Sequence, residues 1–74
     1  MKNTYEVEVT DTFGGEANYS WVRRYTYKAK SVVGAIRMLA REYNAGWRKE
    51  YSSNDLTRYN LKGANVCAFV ECIK

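Results

Sequence analysis

The chain contains no histidine. Histidine is the side chain whose ordinary pKa falls in the physiological range, so its absence rules out catalytic triads, imidazole acid–base catalysis and His-ligated metal sites together. Glycine-rich phosphate loops are missing as well. The glycine pair in FGGEA, residues 13–17, matches neither G-x-G-x-x-G nor G-x-x-x-x-G-K-[ST], and it falls where a hairpin is expected. No apolar run approaches the roughly 18 residues of a membrane span, and the amino terminus MKNTYEVEVTD lacks the apolar core of a secretory signal. These features lead to an expectation of a cytoplasmic protein with no membrane partner.

Cysteine is scarce too. Cys67 and Cys72 lie five apart in VCAFVECIK, and on a strand that odd spacing turns them to opposite faces, too divergent to bond each other or share a metal. They read as small hydrophobes of a reducing compartment. Glu6 and Glu8 remain as a carboxylate pair. On a wet strand face beside cations, however, they lack the burial that makes a carboxylic acid a proton donor at neutral pH. The expectation is therefore a protein with no catalytic residues, no metal and no cofactor, and not an enzyme.

What is present suits one small folded domain over residues 1–74. Apolar content of 46% with 27% charged residues is that of a globular chain and not of a disordered one. A chain this short buries only roughly 60% of the surface it exposes when unfolded, so either a monomer or a homodimer is plausible on stability grounds. TYEVEVT, residues 4–10, alternates strictly, with Tyr5, Val7 and Val9 on one face and Thr4, Glu6, Glu8 and Thr10 on the other. That is a strand with one wet face. DTFGGEAN reads as a hairpin loop longer than the tightest turns, so a second strand should return antiparallel.

NYSWVRRYTYKAKS, residues 18–31, holds four aromatic rings and four cations. Period two places Tyr19, Trp21, Arg23, Tyr25, Tyr27 and Ala29 on one face and Ser20, Val22, Arg24, Thr26, Lys28 and Lys30 on the other. The rings are expected to meet a helix, and the cations to answer the glutamates of the first strand across an open face. Arg23, set among the rings, either lays its stem on them and reaches solvent or joins Trp21 and Tyr19 in a binding patch.

Ser31 suits the N-cap of a helix through SVVGAIRMLAREYNAG. Val32, Ile36, Leu39 and Tyr43 form its buried stripe, Gly34 allows close approach to the sheet, and Asn44 or Gly46 takes the left-handed position after it. WRKEYSSND, residues 47–55, reads as a loop or a short helical turn, and Trp47 there either closes the core end or stands exposed as an anchor. LTRYNL and ANVCAFVECI, joined through Lys62 and Gly63, read as a closing hairpin whose last strand is apolar on both faces and hence central. The expected fold is α+β, a two-layer sandwich with a four-stranded antiparallel sheet and one helix in the order β-β-α-β-β.

The net charge of +4 is unevenly spread. Residues 1–20 set Lys2 against Glu6, Glu8, Asp11 and Glu16, while residues 21–49 set Arg23, Arg24, Lys28, Lys30, Arg37, Arg41, Arg48 and Lys49 against Glu42 alone. So basic a middle favours an acidic partner. From this charge map and the tryptophan beside it, the expected partner-binding residues are Arg23, Arg24, Lys28, Arg37, Arg41, Trp47, Arg48 and Lys49.

The run KAKSVVGAIRMLARE, residues 28–42, leads from a strand into the helix of a chain that opens with a hairpin and closes with a short sheet. In this the chain resembles small accessory proteins of bacteriophages and other mobile elements, including type I anti-CRISPR proteins. One such family has a comparable A-K-S-x-x-x-A-x-R-x-x-A run, here Ala29 to Ala40. The resemblance implies a protein that acts by occupancy, docking on a host protein or ribonucleoprotein complex and inhibiting a host defence system without chemistry. The alternative that the charge map supports is a small basic DNA- or RNA-binding protein.

Overall fold

The computed structural model describes residues 2–13, 16–43, 46–53 and 56–73. The fold is α+β, with one helix and an antiparallel sheet of five strands: β1 (Asn3–Phe13), β2 (Glu16–Ala29), α1 (Val32–Tyr43), β3 (Trp47–Ser53), β4 (Leu56–Leu61) and β5 (Val66–Cys72). The spatial order is β2-β1-β5-β4-β3. The chain thus builds one edge of the sheet, crosses by way of α1, and builds back from the other edge to meet β1 at β5. Cross-strand pairs lock β1 to β2 and to β5, with Val7 opposite both Tyr25 and Val70.

The expected count of four strands is corrected to five, because WRKEYSS is neither loop nor helical turn but the edge strand β3. Its alternation is broken by a bulge between Lys49 and Tyr51, which hides the period of two from the sequence. Its polarity is that of an edge strand open to water on one side.

The rest of the framework follows its chemistry. Tyr5, Val7 and Val9 from β1 meet Ala68 and Val70 of β5, Tyr59 of β4, and Ala35, Ile36 and Leu39 of the helix in one buried cluster. The Gly34 amide donates to Ser31 Oγ at 3.1 Å, and the Ala35 amide to the Ser31 carbonyl at 3.1 Å, so Ser31 caps α1 as expected. A Cβ on Gly34 would stand 3.2 Å from the Ala29 Cβ. That gap is why a glycine sits where α1 leaves the sheet. Gly63 turns the β4–β5 hairpin with φ 77°, in the left-handed region that glycine enters freely.

One turn expectation is corrected. The strands of the first hairpin run further than the loop reading allowed, with Phe13 pairing Glu16; Gly14 and Gly15 lie outside the described residues. Gly46 immediately precedes β3, its carbonyl accepting the Lys62 amide at 3.0 Å. Asn44, Asn54 and Asp55 lie outside the described residues.

Candidate functional site

The largest departure from period two is in β2. Thr10 pairs with Val22, yet Thr12 pairs with Ala17, so Asp11 alone stands opposite residues 18–21. The Asp11 carboxylate gathers this extra length: it accepts the Ser20 amide at 2.9 Å, the Asn18 side-chain amide at 3.1 Å and the Ser20 hydroxyl. Those bonds, the Ser20 hydroxyl first, hold its pKa at about 2, below the ordinary 3.8. Thr10 Oγ1 donates to the Trp21 carbonyl at 2.8 Å and pins the far side of the bulge.

The consequence is at Tyr19, whose φ is 57°. A bulky residue in the left-handed region is strained by about 1–3 kcal/mol. The bulge throws its ring onto the face of the sheet away from the helix, where it stacks on Phe69 with centroids 6.5 Å apart and planes 8° apart. Tyr19 was expected beneath the helix with the other rings. Instead it is 52% exposed on the opposite face.

That open face has an order of its own. Reading across the strands, Tyr51 pairs with Arg58, Arg58 with Phe69, Phe69 with Glu8, and Glu8 with Arg24, a single row from one edge to the other. The Arg58 guanidinium lies over the Phe69 ring at 5.8 Å, while Arg24 closes on Glu8 at 3.1 Å, the cross-strand ion pair expected there. Burial pushes the Tyr19 phenol up, with Glu8 adding to it, so the ring stays neutral at physiological pH. Cys67, under the bulge, is likewise pushed up by burial and remains a thiol, a packing group and not a nucleophile.

At one end of this face the β4–β5 turn and β3 border a half-open cavity of about 360 Å³. Arg48, Arg58 and Lys62 line it with Asn60 and Thr12. Arg58 Nε donates to Asn60 Oδ1 at 3.3 Å and Asn60 Nδ2 to Glu50 Oε2 at 2.7 Å, which fixes the floor.

The helix side holds Tyr25, Tyr27, Tyr43 and Trp47. Tyr27 stacks on Tyr25 at 6.0 Å, Tyr25 meets Tyr43 edge-on at 6.4 Å with hydroxyls 3.3 Å apart, and Tyr43 meets Trp47 edge-on at 5.5 Å. Burial first, and the bond to Tyr25 second, push Tyr43 up to about 12. Arg23 lies 5.8 Å over the Trp21 ring, and its charge works against the rise at Tyr43.

The residues expected to bind a partner therefore fall on three surfaces. Arg24, Lys28 and Arg48 are on the open face; Arg23 and Lys49 share the register of the helix side; Arg37 and Arg41 are exposed along α1. Of the two readings of Trp47, half-burial edge-on to Tyr43 favours closure of the core end. Tyr19 was placed in the patch that one reading of Arg23 offered; Tyr51, Arg58 and Phe69 on the open face and Lys62 in the β4–β5 turn were not among the expected residues. The alternation of LTRYNLK, with Arg58 and Lys62 at even spacing on the wet side of β4, is the signal that could have found two of them.

Among the described residues, no group of three or more Cys, Asp or Glu side chains could hold a metal ion, and no helix is long and apolar enough to cross a membrane. No family model, curated protein or solved structure matches the chain.

Proposed function

We propose that this chain is a non-enzymatic binding protein that takes single-stranded nucleic acid on the open face of its sheet. The observation that carries this reading is the exposed Tyr19 ring, 52% accessible, stacked on the half-buried Phe69 beside Arg58 on the face away from the helix. Exposed rings give successive bases a stacking surface at about 1–3 kcal/mol per base, and cations beside them hold the phosphates. Strain at Tyr19, compensated by the bonds to Asp11, places the ring outward instead of in the core. The buried Cys67 thiol suits the reducing cytoplasm in which such a protein would act.

A second reading has an observation of its own. Glu6 and Glu71 pair directly on this same face, and a polyanion would avoid them. Mixed charge around Tyr, Phe and Arg suits a protein surface, and thus an inhibitor that occupies a host defence complex in the manner of type I anti-CRISPR proteins.

A salt titration against single-stranded DNA and RNA separates the two. The first reading expects affinity to fall with a log–log slope of about −2 to −3, as three or four neutralised phosphates require. Absence of binding to either polymer at low salt removes it. Recovery of a stoichiometric host complex by capture on the folded protein, lost in a Tyr19→Ala, Phe69→Ala variant, then supports the second.

A further inference from the structure

We propose that the cavity beneath the β4–β5 turn is a binding site for a nucleoside phosphate, with Arg48 and Lys62 holding the phosphate group and the base directed toward Phe69 and Tyr19. The proposal deepens the open-face reading and rests on it for the direction of the base. Its own basis is the cavity.

Size is the first consideration. At about 360 Å³ the cavity falls at the lower end of the ~300–1,000 Å³ common for small-molecule sites, roomy for a nucleotide and far too large for a lone phosphate. Charge is the second. Arg48, Arg58 and Lys62 line the cavity without a carboxylate among its described lining residues; the nearby Glu50 is engaged with Asn60. Neither Arg48 nor Lys62 forms an ion pair among the described residues. Arg48 and Lys62 thus bring two cations to the rim of one small volume with no described carboxylate lining it, and an anion is drawn to such a place.

Continuity is the third. Arg58 both lines the cavity and lies over the Phe69 ring, on which the exposed Tyr19 stacks, so the cavity adjoins the rings of the open face. The same arithmetic selects the kind of phosphate. A terminal phosphate monoester carries about −1.5 to −2 at neutral pH, whereas a phosphodiester within a strand carries about −1, so the pair Arg48 and Lys62 favours the monoester. The ligand is therefore a free mononucleotide or the phosphorylated end of a strand.

The test measures binding of one short oligonucleotide with a 5′-phosphate, with a 3′-phosphate and with both ends hydroxyl, and separately of adenosine monophosphate. Wild type is compared with Arg48→Gln, Lys62→Gln, whose side chains are exposed, and folding is checked by circular dichroism. One phosphorylated end is expected to bind about tenfold tighter than the hydroxyl strand, and the double variant to lose most of that ratio. Equal affinity for all three strands, in wild type and variant alike, overturns the cavity proposal and leaves the open-face reading standing. If adenosine monophosphate binds in an Arg48- and Lys62-dependent way while no strand does, the open-face reading fails and the cavity stands. Binding of neither overturns both.

Discussion

Tyr19 and Tyr25 stand on the same strand at an even spacing, and they end on opposite faces of the sheet. Tyr25 follows the pleat into the aromatic group beneath α1. Tyr19 is carried across by the bulge opposite Asp11. The helix-covered face is a region where local pattern and burial agree, so its residues sit where alternation puts them. On the open face one carboxylate overrides the pattern, and a ring that hydrophobicity would bury is left in water.

The comparison can be tested by damaging one face at a time. The largest effect belongs to the covered face. Leu39 is fully buried, and Leu39→Ala should cost about 2–5 kcal/mol in denaturant unfolding, enough to threaten a domain of this size. On the open face, Phe69→Ala should weaken single-strand binding by about 1–3 kcal/mol while lowering the melting temperature less than Leu39→Ala does. A variant of Phe69 that unfolds as badly as that of Leu39 would mean that the open face is core after all.

Extremes of pH should separate the faces without mutation. Asp11 has a folded pKa of about 2 against 3.8 ordinarily, so between these values the unfolded chain binds more protons. Its stabilising effect is complete above 3.8 and is lost as pH falls through about 2. Tyr43 is raised from 10.0 to about 12, so the folded chain keeps its proton longer, and that contribution, complete below 10.0, is lost as pH rises through about 12. Ring proton shifts should therefore show Tyr19 leaving Phe69 in acid and the Tyr25–Tyr43 contact loosening in alkali. Simultaneous loss of both at either extreme would show one cooperative unit. The smallest effect is expected at the Arg24–Glu8 pair, where Arg24 is 64% exposed: Arg24→Ala should change stability by about 0–0.5 kcal/mol.

How much of this was legible in the sequence follows from the same contrast. The strand β1, the helix with its Ser31 cap and Leu39 stripe, the centrality of β5 and the divergence of Cys67 from Cys72 all come from unbroken periods. The strand β3 was hidden because its bulge near Glu50 sets Trp47 and Tyr51 on different faces despite their even spacing. Tyr19 was misplaced for the same reason in β2. Strand alternation cannot foresee an extra loop of residues, although an aspartate facing Asn and Ser across a hairpin is the chemistry that stabilises one. Arg48 was found as a charge, yet its partners in the cavity, Arg58 and Lys62, lay outside the basic middle segment and were passed over.

The most direct test is a residue-resolved titration of the folded protein with a short single strand, followed by backbone and aromatic chemical shifts. Binding on the open face predicts that Tyr19, Tyr51, Arg58 and Phe69 move first and saturate together, while Ile36, Leu39 and Tyr25 stay still. Shifts confined to Trp21, Arg23 and the exposed arginines of α1, with Tyr19 and Phe69 unmoved, would contradict it.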